Sequence, residues 1–328
     1  MLRIFYNTHY DFIRPWRIMV ALTVGFIVIG LSSLVFTGIR YSIDFTGGTI
    51  MQLRFDQPPD VSRLRSLLDQ GGVHNAEIQS FGSNREYTVR AQDLAASHGG
   101  STDSVATEVR GIFDKVFGKQ YQVVRTESVG PRVGSELRTG AIKAVLLSFL
   151  LTLIYLAWRF EWRFGVAAVI ATAHDICTTL AFIKLMNIEV SLTVVAGILT
   201  VIGYSLNDTI IIFDRVRENL RRRRREPLYD TINRSVNETL PRSVMTHATA
   251  LAATIALLIF AGEVIRPFAW VMAFGIFTGT FSSIYVAAPV LLWIERRWPR
   301  EVSTAQGGPA IKKPAPRSQK STEAAGVR

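Results

Sequence analysis

Six stretches of mostly apolar residues, each near the length that crosses a bilayer as a helix, dominate this chain of 328 residues. A helix rises 1.5 Å per residue, so about 20 residues cover the roughly 30 Å of hydrocarbon. The stretches run over Ile18–Phe36, Leu137–Ala157, Phe164–Leu185, Val190–Phe213, Pro241–Gly262 and Pro267–Ile294. Apolar types make up 48% of the chain. An α-helical membrane protein with six transmembrane helices is therefore expected. The first stretch is longer than the apolar part of a secretory leader, and no small-residue cleavage site follows it, so it reads as an uncleaved anchor.

Charge sets the expected orientation. The net charge is +11, but residues 41–136 hold ten Lys/Arg against twelve Asp/Glu. The basic surplus lies elsewhere. Arg3, Arg14 and Arg17 precede the first stretch, Arg159 and Arg163 follow the second, nine arginines lie from Arg215 to Arg242, and Arg296, Arg297 and Arg300 follow the sixth. The opposite short loops carry only Lys184 and Arg266. Cytoplasmic loops are the basic ones, which places both termini in the cytoplasm and residues 41–136 outside it. Trp16, Trp158, Trp162, Trp293 and Trp298 fall at stretch ends, where interfacial aromatics gather. The run Arg221–Arg225 reads as a topology signal and a contact for anionic lipid rather than for a specific nucleic acid. Cys177 is the one cysteine, which excludes an intrachain disulfide and a thiolate-clustered metal. No metal or cofactor is expected.

The expected organisation is a cytoplasmic N-terminus over 1–17, a first span over 18–36, an extracytoplasmic domain over 40–136, five more spans within 137–294, and a cytoplasmic tail over 295–328 whose composition predicts disorder. The extracytoplasmic segment has its own pattern. Thr49–Phe55 alternates as a strand. Asp60 caps a helix bearing Leu64, Leu67 and Leu68, which Gly71-Gly72 ends. Asn75–Phe81 and Arg85–Ala91 read as a hairpin about Gly82-Ser83-Asn84. Thr102–Phe117 places Val105, Val109, Ile112, Phe113 and Val116 on one helix face, and Gln120–Val129 is a last strand. The βαββαβ order is that of an α+β ferredoxin-like domain. Its role is open between a module that contacts another molecule and a passive cap.

Inside the apolar stretches, polar residues stand out. GYSLNDTIIIFDR places Asn207 and Asp208 within the fourth, and a lone carboxylate near a helix centre costs about 2.5–3.5 kcal/mol to insert. Protonation or a cationic partner lowers that cost, and both serve a proton relay. The fifth stretch opens TLPRSVMTHATA, where Pro241 fits a first helical turn. Arg242, Thr246 and Thr249 share a face there, with His247 offset. Arg242 either meets Asp208 or snorkels to headgroups, and His247 is either a relay group or a packing donor. The third stretch adds His174 and Asp175, with Thr178 and Thr179 one turn on. Asp214 is expected at the interface with Arg215 and Arg217. Gly275, Gly279 and Ser283, and Gly197 and Gly203, have the small-residue spacing of close helix contacts. Residues Tyr229, Ile232, Val236 and Leu240 form a weak amphipathic pattern, expected as a surface helix.

These motifs resemble one family. IDFTGGT, with Asp44, Phe45, Thr46, Gly47 and Gly48, is similar to the signature of the SecD/SecF protein-translocase subunits. AHD at 173–175, GYSLNDTIIIFDRVREN at 203–219 and RSVMT at 242–246 resemble the SecF members. The resemblance covers about residues 10–300. It implies an RND-type half bundle whose other half is SecD, acting with the SecYEG translocon and often YidC on unfolded secretory proteins, in the bacterial inner membrane. It implies that the proton-motive force drives the work, that Asp208 and Arg242 belong to the proton path, and that His174, Asp175, Asn207 and Thr246, which match motif positions, support it; His247 joins these supporting polar positions by its placement on the fifth stretch, not by the resemblance. It implies no enzyme activity. Two other classes stay open beside it. Half of an RND-type proton-driven exporter of small molecules or lipids shares the buried carboxylate but calls for a substrate cleft outside the membrane. An intramembrane protease calls for Asp175 and Asp208 facing each other.

Overall fold

The computed structural model describes residues 8–73, 76–91, 103–222 and 226–298. Helix α1 (Trp16–Thr37) is the first of six helices long and apolar enough to cross a membrane. A short helix, α2 (Ile43–Thr46), capped by the Ser42 hydroxyl at Asp44 N–H, then leads into a domain inserted before the second spanning helix. That domain comprises β1 (Gly48–Phe55), α3 (Val61–Gln70), β2 (Glu77–Phe81), β3 (Ser83–Ala91), α4 (Asp103–Phe117) and β4 (Tyr121–Val129). The expected βαββαβ order is present. The sheet runs β2-β3-β1-β4 with every neighbouring pair antiparallel, which is the ferredoxin-like arrangement.

Strand alternation turns Met51, Leu53 and Phe55 toward α3 and α4. The Phe55 ring meets Tyr87, Phe113, Phe117 and Tyr121 at 5.3–6.0 Å for three of them and 6.3 Å for Phe113. Burial, reinforced by a 2.7 Å hydrogen bond to Asp114, pushes the Tyr121 hydroxyl above its ordinary pKa. Asp60 caps α3 through Ser62 N–H, and Gly72 leaves it with φ 92°, as the turn residues predict. Val116 departs from the expected apolar face: it is exposed, and Phe117 packs on the core in its place. Val105, Val109 and Phe113 repeat every four residues, and 117 rather than 116 continues that row.

The remaining spans are α5 (Pro131–Arg159), α6 (Trp162–Leu185), α7 (Leu192–Arg222), α8 (Leu228–Phe260) and a sixth unit made of α9 (Arg266–Ser282), a π-helical turn Ser283–Ala287, and α10 (Ala288–Arg297). Helices α7 and α8 run well past the apolar stretches that predict them. Pro241 is consequently inside α8, not in its first turn, and the expected surface helix is the start of α8. Proline removes one backbone hydrogen bond. The inner face of the preceding turns (Thr231, Ile232, Ser235 and Val236) is buried, and that burial keeps the helix continuous through the proline.

An N-terminal segment secures those turns. Asn237 accepts from Tyr10 N–H at 2.9 Å and donates to Tyr10 O at 2.8 Å, while Asn233 accepts from Phe12 N–H at 3.0 Å. Tyr229 donates to Asp11 at 2.5 Å, and Ile13 is buried. Asp214 pairs with Arg159 of α5 at 2.8 Å, while Arg215 reaches Glu218 and Glu238. Arg223–Arg225 and residues 299–328 lie outside the described residues, and the first residues of the expected tail, Glu295–Arg297, are the end of α10.

The bundle centre is α6, α7 and the sixth unit. Close approach there relies on glycine: a Cβ at Gly275 would stand 2.1 Å from Val201 Cγ2, and one at Gly279 would stand 2.9 Å from Ser205 Cβ. Gly197 has the same role against Val271. Gly203 does not; it is exposed and a Cβ there meets nothing within 4 Å. The apolar windows of α1, α5 and α8 are 6%, 6% and 11% buried, against half or more for the central three. Their outer faces are left to lipid or to another chain.

Candidate functional site within the helix bundle

Ser205, Asp208 and Thr209, at i, i+3 and i+4, share one buried face of α7. Asp208 is 3% exposed. Its Oδ1 accepts from Ser243 Oγ of α8 at 2.5 Å, and its Oδ2 is buried with no partner among the described residues. One turn along α8, His247 Nδ1–H donates to the Ser243 carbonyl at 2.5 Å, and His247 Nε2 is likewise buried and unpartnered among the described residues. The Tyr204 ring meets the His247 ring edge-on at 5.3 Å, and its hydroxyl donates to Thr246 O at 3.1 Å. Asp208 and His247 thus both bond to Ser243, and Tyr204 packs on His247, between two antiparallel helices.

Arg242 is placed differently from expectation. It is exposed, and among the described residues no carboxylate oxygen lies within 4.0 Å of its guanidinium. A helix turns about 100° per residue, so when Ser243 enters the α7–α8 contact its neighbour leaves it. Thr246 and Thr249 are exposed on the same side, and Asn207 is exposed on α7. Asp208 and Arg242 are therefore near in depth without an ion pair. The polar row Asn207, Arg242, Thr246 and Thr249 opens onto the outside of this chain's own bundle.

Asp175 forms a second, separate centre. It is fully buried on α6. Its Oδ2 accepts from Ser282 Oγ at 2.7 Å and from Ser205 Oγ, and His174 Nδ1 stands 3.1 Å from its Oδ1. One carboxylate therefore ties α6 to α7 and α9. Thr178 and Thr179 turn back to carbonyls of their own helix and do not reach it. Below this centre, Thr209 Oγ1 and Ser283 Oγ are 2.8 Å apart, at the π-helical turn. Asp175 and Asp208 bond to different hydroxyls and not to each other, so the facing pair that an aspartyl protease calls for is not formed. Sequence reasoning missed Ser205, Ser243 and Ser282 as partners of the carboxylates, and it placed Ser283 only among the small residues of a close helix contact.

The IDFTGG signature residues sit at the other end of α7. Asp44 Oδ2 accepts from Leu192 N–H at 2.9 Å, in the first turn of that helix. Thr46 Oγ1 bonds to Ser42 O, and Phe45 is buried. Gly47 has φ 74°, and a Cβ on it would stand 2.8 Å from Pro131 Cα at the start of α5; both its conformation and its closeness call for glycine. A Cβ on Gly134 would stand 2.9 Å from Gly47 N. Gly48, at φ 129°, opens β1.

These features define a class: a six-span membrane protein with a ferredoxin-like domain inserted after its first span and carboxylates buried among its central helices. Residues 109–297 match the profile of the SecD/SecF protein export membrane protein C-terminal region, and residues 32–59 match that of the SecD/SecF GG motif. The protein translocase subunit SecF of Gemmatimonas aurantiaca is 59% identical over 92% of this chain and 91% of its own length. That of Desulfurispirillum indicum is 42% identical over 88% and 92%, and that of Vibrio alginolyticus 39% over 86% and 88%. The chain belongs to the SecD/SecF family of protein export membrane proteins, as one of its SecF subunits. The crystal structure of SecDF from Thermus thermophilus superposes with a TM-score of 0.79 at 38% identity, over 89% of this chain and 39% of that one. A second SecDF structure, in a super-membrane-facing form, gives 0.65 at the same identity, over 89% and 40%. This chain thus spans about two fifths of the SecDF chains that it matches.

Proposed function

We propose that this SecF subunit couples the proton-motive force to the export of unfolded secretory proteins, acting with SecD and the SecYEG translocon and in company with YidC, in the bacterial inner membrane with both termini cytoplasmic. The observation that carries the reading is the Asp208 carboxylate: buried, inside a spanning helix, held by one hydroxyl through one oxygen and without a partner at the other among the described residues. Intramembrane carboxylates in such settings serve ion and proton paths. Arg242 is the cation of the path. It takes part when SecD covers the exposed row of Asn207, Arg242, Thr246 and Thr249, a row too polar to be left to acyl chains. That the matched SecDF chains are about two and a half times as long as the part this chain covers supports a second half seated there. His174, Asp175 and His247 support the arrangement. The arginine-rich segment between α7 and α8 meets anionic lipid. The reading is of an energy-coupling subunit, with no bond-breaking chemistry and no specific nucleic acid.

Protonating Asp208 removes its charge and weakens its hold on Ser243 and on any guanidinium nearby, which lets α7 and α8 repack. The available drive is about 2.3 kcal/mol per charge per 100 mV, while taking a two-state equilibrium from 1:99 to 99:1 needs about 5.5 kcal/mol. More than one proton per cycle follows, the second at a carboxylate of SecD. The different TM-scores against two SecDF forms at equal identity fit a molecule with two arrangements.

The test is Asp208→Asn in proteoliposomes holding SecYEG and SecD. The variant inserts and assembles but loses proton-dependent stimulation of export. Full stimulation by this variant removes the relay reading. An exporter of small molecules or lipids predicts instead that export of a secretory protein is indifferent to the change.

A further inference from the structure

We propose that Asp44 and Arg90 form the joint through which movement of α7 reaches the inserted domain, so that Asp44 is a positioning residue for the relay. The inference rests on the relay reading. Helix α7 carries Asp208, and its first turn is held by a carboxylate that belongs to the inserted-domain side of the chain: Asp44 Oδ2 accepts from Leu192 N–H at 2.9 Å. Beside it, Ser42 N–H donates to Val190 O at 2.9 Å, and Val190 N–H donates to Arg40 O at 2.8 Å. The segment entering the inserted domain thus runs as a short strand along the turn that starts α7.

Arg90, from β3 in the centre of the sheet, closes the joint. Its Nη2 donates to Tyr41 O at 2.8 Å, and its Nη1 pairs with Glu189 at 2.7 Å, with the Arg90 side chain 13% exposed. The Tyr41 ring is covered by the Arg138 guanidinium at 4.6 Å. Gly47 and Gly134 bring the same segment against the start of α5. One small knot therefore holds the sheet, α5 and the α6–α7 turn together.

The chemistry suits transmission. A carboxylate at a helix N-terminus meets the unpaired N–H groups and the positive end of the helix dipole, so it is bound to the axis of α7 rather than to one side chain. Leu192 and Asp208 are sixteen residues apart on that helix, about 24 Å at 1.5 Å per residue. An unbroken helix carries a shift over that span with little loss. A shift of α7 following protonation must then either drag the inserted domain or break the knot.

The experiment is pulsed electron paramagnetic resonance on the full chain with SecD in nanodiscs. Spin labels go on Ser83→Cys and Arg222→Cys, both exposed, in a Cys177→Ala background. In the wild-type joint the distance distribution changes between pH 8 and pH 6, and Asp208→Asn abolishes the change. Asp44→Ala is expected to lose more than half of the change, while Asp44→Asn, which still accepts from Leu192 N–H, keeps it. A wild-type response in Asp44→Ala overturns the proposal. So does a wild-type joint with no response, and that result leaves the relay reading to stand or fall on the export assay. If Asp44→Ala does not assemble, Glu189→Gln, which removes the Arg90 ion pair, carries the same two outcomes. A merely structural role would lower yield or melting temperature without separating Asp44→Asn from Asp44→Ala in the pH response.

Discussion

Ser243 Oγ stands 2.5 Å from Asp208 Oδ1 across the α7–α8 contact, and it is the one hydrogen-bond donor to that carboxylate among the described residues. The residue that sets the environment of the buried charge is thus the neighbour of the arginine and not the arginine itself. A hydrogen bond to a charged group contributes about 1.5–3 kcal/mol, and a buried acceptor left without one is costly. Ser243→Ala is therefore expected to insert normally and to lower proton-dependent export stimulation by about tenfold or more, the equivalent of roughly 1.4 kcal/mol. The same reconstituted export assay checks it. Stimulation unchanged in Ser243→Ala would mean that the carboxylate does not depend on this contact.

Helix contacts in the bundle centre give a sharper stability prediction. A methyl at Gly275 runs into Val201, and one at Gly279 runs into Ser205. Overpacking of this kind costs about 1–3 kcal/mol. Gly275→Ala and Gly279→Ala should each lower the thermal midpoint in detergent, whereas Gly203→Ala, with open space around it, should leave it unchanged. Because Ser205 also donates to Asp175, Gly279→Ala should be the worse of the two for function at equal loss of stability. Equal midpoints for Gly203→Ala and Gly275→Ala would contradict the packing described here.

How much of this was legible in the sequence depends on the strength of each local signal. Hydropathy located all six spans because a helix in lipid must be apolar over its whole length. The inserted domain was legible because strand alternation and two amphipathic helices repeat over many residues. Asp208 and Asp175 stood out because a carboxylate in an apolar run is rare. Serine is different: it is common in spanning helices and barely changes hydropathy, so Ser205, Ser243 and Ser282 carry no signal until the helix rotations are known. The same rotation separates Arg242 from Ser243. Pro241 misled because the rule that places proline in a first turn is local, while the burial of Thr231, Ile232, Ser235 and Val236 that carries α8 through it is tertiary. The Asp44–Leu192 bond joins residues 148 apart, and no periodicity announces such a tie.

The N-terminal segment offers a prediction free of any functional assumption. Asn233 and Asn237, one turn apart on α8, bond to the backbone of Tyr10 and Phe12. Replacing both by alanine removes the acceptors of those two amides. At about 0.5–1.5 kcal/mol per hydrogen bond, protection of the Tyr10 and Phe12 amides against hydrogen exchange should fall by roughly two- to tenfold, with little change in the helices of the bundle centre. Exchange read by mass spectrometry on the intact protein would show it. Unchanged protection at residues 10–12 would mean that burial of Ile13 alone holds the segment.

The two buried carboxylates should separate by substitution. Asp175 receives two serine hydroxyls on one oxygen, so its structural work is that of an acceptor. An asparagine supplies a carbonyl in the same place. Asp175→Asn is therefore expected to keep the thermal midpoint within a few degrees and to retain most proton-dependent stimulation. Asp175→Ala strands Ser205 as a buried hydroxyl without an acceptor, at about 1–3 kcal/mol for an unsatisfied group, leaves Ser282 only its bond to Gly279 O, and opens a void between α6, α7 and α9. It should lower the midpoint clearly. Asp208→Asn is expected to show the reverse: a stable bundle with no coupling. Should Asp175→Asn also abolish stimulation while folding normally, Asp175 carries a proton itself, and the relay runs through α6 as well as through the α7–α8 contact.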